Sequence, residues 1–124
     1  MSDLLTRAEY QAIADSLVFP RAAFIDGKYQ AGKGGTLTTF NPATGAPIAE
    51  IAACNSEDVD FAVSKANEAF EQGHWSKMHP TERKGVLVRL SKLMTRNRRE
   101  LAVLESIESG KPIADCEGID IPES

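Results

Sequence analysis

The sequence predicts an α/β chain: a helix, then a short antiparallel β-hairpin region, then long helices. Three local patterns carry that reading. Thr6-Arg7-Ala8-Glu9 has the spacing of a capping box at a helix start. Asp26-Gly27 joins two short extended runs and supplies the positive φ angles of a tight hairpin turn. Val59, Ala62, Val63, Ala66 and Phe70 repeat with the 3.6-residue period of an amphipathic helix.

Taken in order, the first helix begins after Thr6, with Tyr10, Ile13, Ala14 and Leu17 on one apolar stripe, and Pro20 ends it. Ala23-Phe24-Ile25 and Lys28-Tyr29-Gln30 form the hairpin. Gly32-Lys33-Gly34-Gly35 invites comparison with a phosphate-cradling loop, but such loops open a helix, whereas a β-type run from Thr36 to Phe40 follows here, so a flexible connector is expected. Asn41-Pro42-Ala43-Thr44-Gly45 reads as a turn, and Ile48 to Ala53 as a strand.

A second helix is expected from Ser56, with Glu57 and Asp58 placed against the positive end of its dipole and Gly73 as a left-handed cap. Its apolar stripe is read as a core face. Pro80 suits the first position of a third helix, running to about Met94. The stripe of Leu87, Leu90 and Met94 resumes as Leu101, Leu104 and Ile107, so a break or kink near Asn97 is expected, with Gly110 and Pro112 ending the next helix.

Composition bounds the function. A chain of 124 residues, 42% hydrophobic and 26% charged, is that of one ordinary globular domain. No apolar run approaches the roughly 20 residues that cross a bilayer, and Asp3, Arg7, Glu9 and Asp15 argue against a signal peptide, so a cytoplasmic chain is expected. The net charge of −4 conceals seven basic residues against one acid between Glu82 and Arg99, which leaves −10 for the remainder. Arg83, Lys84, Arg89, Lys92, Arg96, Arg98 and Arg99 alternate with Val86, Leu87, Leu90, Leu93 and Met94, the pattern of a solvated amphipathic helix, so no nucleic-acid partner is expected.

No catalytic group stands out. Cys54 follows an apolar strand and Cys116 lies between Asp115 and Glu117, where a thiolate is disfavoured, so both read as reduced structural thiols. His74 and His79 are spaced wrongly for one helix face, and no cysteine joins them as a zinc ligand.

Read in order rather than singly, the segments are more informative. Phe24-Ile25-Asp26-Gly27-Lys28-Tyr29, Phe40-Asn41-Pro42-Ala43-Thr44-Gly45, Glu57-Asp58-Val59-Asp60 with Ala62-Val63, Ala69-Phe70 and Trp75-Ser76 come first. Glu82-Arg83 with Leu87, Leu90 and Leu93, Glu100-Leu101-Ala102-Val103-Leu104-Glu105, and Ser109-Gly110-Lys111-Pro112 follow. Together they resemble the opening of the aldehyde dehydrogenase superfamily over nearly the whole chain.

That resemblance implies the N-terminal part of the aldehyde dehydrogenase fold. Residues 1–124 would form an incomplete N-terminal portion of the cofactor-binding domain, with no separate second domain, beside a Rossmann-type sheet that lies further along. It implies an NAD- or NADP-dependent oxidation of an aldehyde to an acid, in a homo-oligomer. The family's cysteine nucleophile, its glutamate, its oxyanion-holding asparagine and its dinucleotide contacts all fall outside this sequence, so no catalytic or cofactor-binding residue is assigned and the chain alone is expected to be inactive.

Two family features would fall inside it. One is a sodium or potassium site using the carbonyls of Thr39 and Phe40 and the carboxylate of Glu108. The other is the mouth of the substrate channel at Ile119, Asp120 and Glu123, whose acids suit a cationic tail; with Asp120-Ile121-Pro122 this resembles the branch acting on amino-aldehydes and γ-glutamylaminobutyraldehyde. The competing readings are a self-contained binding or scaffold domain derived from that family and a weak nucleic-acid binder acting through the basic helix.

Overall fold

A computed structural model of the protein describes residues 4–124, so Asp3 lies outside the described residues. Contacts divide the chain into two compact units. One takes in the chain up to Phe19 with Phe40–Pro47 and Val88–Ser124, the other Pro20–Thr39 with Ile48–Leu87.

In the second unit, β1 (Ala23–Ile25) pairs antiparallel with β2 (Lys28–Gln30) in the register Ala23↔Gln30, Phe24↔Tyr29 and Ile25↔Lys28. Asp26 at φ 56° and Gly27 at φ 74° both occupy the left-handed region that a two-residue turn of this hand requires. The Phe24 and Tyr29 rings meet edge to face at 5.1 Å, which adds a cross-strand contact to a hairpin of only two three-residue strands. β3 (Thr36–Phe40) and β4 (Pro47–Ala52) form a separate two-stranded antiparallel sheet.

The glycine-rich stretch between β2 and β3 differs from the flexible connector expected of it. A Cβ on Gly32 would fall 2.2 Å from the Ala53 carbonyl oxygen, and one on Gly34 would fall 3.0 Å from it. Gly34 N donates to Ala53 O at 3.0 Å, and Ala53 N to Gly35 O at 2.9 Å. The glycines are there because two backbones touch, a requirement that is invisible until Ala53 is placed.

α2 (Ser56–Gln72) starts at Asn55, whose side chain accepts from Asp58 N while Asp58 accepts from Asn55 N, and it ends at Gly73 with φ 82°. Its apolar stripe is not a core face among the described residues: Val59, Val63 and Phe70 are each more than half exposed. Periodicity identifies the face of a helix that wants burial, and says nothing of what covers it. Ser76 Oγ and Lys77 Nζ donate to the Phe70 and Glu71 carbonyls at the end of α2.

α3 (Pro80–Arg96) begins with proline, as expected, and His79 Nδ1 accepts from Thr81 N at 3.3 Å in its first turn. The expected break falls at Asn97, which separates α3 from α4 (Arg98–Ser109). No described helix is long and apolar enough to cross a membrane.

The first unit is built on α4. α1 (Arg7–Ser16), opened by the expected capping box of Thr6 and Glu9, packs against it. Ala102 and Val103 of α4 are buried, and Gly110 at φ 75° caps its end. Beyond Pro112 the chain stays helical. α5 (Ile113–Asp115), a π-turn (Cys116–Asp120) and α6 (Ile121–Glu123) fold back on α4, and Cys116 is fully buried.

Candidate functional site

A polar cluster lies where that returning segment meets α1 and α4. Glu117, with a side chain only 6% exposed, collects three partners. Tyr10 OH donates to its Oε2 at 2.5 Å, Arg99 Nε donates to its Oε1 at 3.3 Å, and Arg98 Nε stands 3.7 Å from Oε1. Burial, and then the bond to Glu117, push the Tyr10 hydroxyl pKa upward. A buried carboxylate needs such company, since an unpaired one is strongly disfavoured in an apolar surrounding. Two of the seven cations of the basic run therefore turn toward an internal acid.

Three residues further on, Asp120 Oδ1 accepts from Lys111 Nζ at 2.6 Å. That hydrogen bond raises the Lys111 pKa. Asp120 Oδ2 is buried and has no hydrogen-bond partner. Ser106 Oγ and Cys116 Sγ both donate to the Lys111 carbonyl, at 2.7 and 3.8 Å, which holds the turn after α4 against the π-turn. Burial raises the Cys116 thiol pKa and makes it a poor nucleophile.

The six residues singled out from the sequence fall in different settings. Ile119 is about half exposed on the π-turn, Asp120 is half-buried in its ion pair, and Glu123 is exposed in α6. Glu108 is exposed in the last turn of α4. Phe40 ends β3, and Thr39 Oγ1 donates to Ala49 O at 3.3 Å. The turn after Phe40 and the end of α4 approach closely, because a Cβ on Gly110 would fall 2.9 Å from Pro42 Cγ. Sequence reasoning missed Tyr10 and Glu117, whose partnership spans 107 residues and leaves no local pattern.

Among the described residues, no three His, Cys, Asp or Glu side chains converge on a point where a metal ion would fit. Gly32–Gly35 leads into β3 rather than into a helix N-terminus, so it lacks the strand-loop-helix form of a pyrophosphate cradle.

Residues 29–124 match the family model described as "Aldehyde dehydrogenase family". The chain belongs to the aldehyde dehydrogenase family. Its fold is the N-terminal part of the aldehyde dehydrogenase fold, as the sequence implied. The chain is 50% identical over 125 residues to an aminoacetaldehyde dehydrogenase of Pseudomonas aeruginosa, an alignment covering 100% of this chain and 25% of that protein. It is 43% identical over 116 residues to an NADP/NAD-dependent aldehyde dehydrogenase of Escherichia coli, covering 93% of this chain and 23% of that one. Among solved structures, a γ-glutamyl-γ-aminobutyraldehyde dehydrogenase of Burkholderia cenocepacia superposes with a TM-score of 0.91 at 40% identity, over 95% of this chain and 24% of that one. This aldehyde dehydrogenase chain thus spans about a quarter of the length of the relatives it matches.

Proposed function

We propose that the complete protein oxidises an aldehyde to a carboxylic acid with NAD+ or NADP+, that its preferred aldehyde carries an amino group, and that residues 1–124 alone have no catalytic activity. The supporting observation is the 50% identity, over the whole chain, to a protein named aminoacetaldehyde dehydrogenase. In this reading residues 1–124 are the N-terminal portion of the cofactor-binding domain, within a homo-oligomer. Exposed Val59, Val63 and Phe70 of α2 then pack against parts of the protein outside these residues. The dinucleotide supplies the hydride acceptor, and no side chain of this chain has a part in that transfer.

The contribution of this chain to specificity is assigned to the segment after Pro112, with Ile119, Asp120 and Glu123 at the substrate mouth. Lys111 engages one oxygen of Asp120, and Oδ2 stays buried without a donor. As acids, Asp120 and Glu123 suit an aldehyde with a cationic tail. The test is steady-state kinetics of the complete protein with an amino-aldehyde and a neutral aldehyde of similar length. Asp120→Ala is expected to raise KM for the amino-aldehyde more than for the neutral one, and equal effects would refute the assignment.

A sodium or potassium ion is proposed to bind the Thr39 and Phe40 carbonyls and the Glu108 carboxylate. All of these are oxygen donors suited to a hard cation. Support comes from the close approach of Gly110 to Pro42, which brings the turn after Phe40 to the end of the helix that carries Glu108.

A further inference from the structure

The amino-terminal helix and the proposed substrate mouth share one buried acid. Tyr10 on α1 donates to Glu117 Oε2 at 2.5 Å, and its hydroxyl also accepts from Leu5 N at 3.2 Å, so the phenol ties the start of the chain to the π-turn. Glu117 and Asp120 belong to the same five-residue turn, Cys116–Asp120. A π-turn holds one residue more than an α-turn and occurs mostly as a single-turn bulge within a helix, as it does here between α5 and α6. Here the contacts on one side are Tyr10, Arg98 and Arg99 around Glu117, and on the other Lys111 on Asp120.

Packing between α1 and α4 leaves space. A depression of about 160 Å³ lies between them, lined in part by Tyr10, Ala14, Val103 and Ile107. No residue of α1 is fully buried. The polar link is thus the specific one, joining half-buried Tyr10 to buried Glu117.

We infer that Tyr10 is a positioning residue for the substrate mouth: through Glu117 it fixes the π-turn that sets where Asp120 and Ile119 stand, so that α1 tunes selectivity for cationic aldehydes without touching substrate. This rests on the reading of Ile119, Asp120 and Glu123 as the mouth. If Tyr10 moves, Glu117 keeps its arginines, and the turn loses the restraint that α1 places on it.

The experiment is a double-mutant cycle in the complete protein, using Tyr10→Phe, Asp120→Ala and the pair, with KM and kcat measured for an amino-aldehyde and a neutral aldehyde. Tyr10→Phe removes one oxygen and no bulk, and a melt of each variant shows whether it folds. Loss of a hydrogen bond to a charged acceptor corresponds to an effect of roughly 10- to 150-fold where it is felt in full. Partial transmission to Asp120 predicts a rise of about 3- to 10-fold in KM for the amino-aldehyde, kcat within about twofold, and little change with the neutral substrate. That rise should vanish in the Asp120→Ala background. If Asp120→Ala is selective but Tyr10→Phe alters neither substrate, or both equally, the inference is overturned and the mouth assignment stands. If Asp120→Ala is itself unselective, the mouth assignment fails and the inference fails with it.

Discussion

The backbone amide of Lys33 donates to Asp58 Oδ2 at 2.7 Å, and the same oxygen accepts from Asn55 N at 3.0 Å. One carboxylate thereby closes the capping box of α2 and anchors the glycine-rich loop that precedes β3. Lys33 also pairs through Nζ with Glu57 at 3.0 Å, an exposed contact worth little by itself. The two amide hydrogen bonds hold the Asp58 pKa below its usual value. A depressed carboxyl pKa means that the folded form favours the ionised carboxylate, so this contribution is complete above the unfolded pKa, 3.8, and is lost as pH falls through the lower folded value. Melts of the native protein and of Asp58→Asn should therefore differ at pH 6 and converge as the solution is acidified further into that window. Parallel curves would contradict the linkage.

Asn55 caps the same helix from the other side of the box. Asn55→Ala removes the acceptor for Asp58 N and should cost about 1 kcal/mol, read as a lower Tm or denaturation midpoint. Asn55→Ser should recover most of it.

Gly32→Ala tests the contact of two backbones. With the new methyl 2.2 Å from Ala53 O, the loop must move, and a loss of about 1–3 kcal/mol is expected. Gly27→Ala meets no neighbouring atom, but its φ of 74° is strained for any side chain, so a smaller loss of about 1 kcal/mol is expected there. Equal tolerance at both positions in a urea titration would count against the close approach at Gly32.

Replacing Glu117 by alanine strands the Tyr10 hydroxyl and leaves the guanidinium of Arg99 without its buried acceptor. A loss of roughly 2–3 kcal/mol is expected, larger than for any exposed acid of the chain. Glu117→Gln retains an acceptor and should lose less. Urea denaturation of the two variants separates the acceptor's role from that of side-chain volume.

For the cation, stepwise addition of sodium chloride to the complete protein should raise Tm beyond any change in matched choline chloride, through preferential binding to the folded state. Glu108→Gln should flatten that difference. Identical sodium and choline curves would dispose of the site.

Local chemistry made much of this architecture legible from residues alone. The Thr6 and Glu9 box, the Asp26-Gly27 turn, Gly73 as a left-handed cap, Gly110 at a helix end, Pro80 at a helix start and the interruption at Asn97 each depend on atoms within a few positions of one another. The order of the family segments is likewise written along the chain, and the match over residues 29–124 agrees with it. What only the tertiary structure decided involves partners distant in sequence. Gly32 had to meet Ala53 before its lack of a side chain acquired a reason, and Lys33 had to meet Asp58 before the loop ceased to be a free connector. Glu117 shows no periodicity and no motif, yet Tyr10, 107 residues away, turns it from one acid among many into a buried acceptor. Helix caps and turns are short-range bargains between neighbouring dihedrals and hydrogen bonds, readable from spacing. Burial and pairing are decided by which surfaces the folded chain brings together, and no local pattern records that choice.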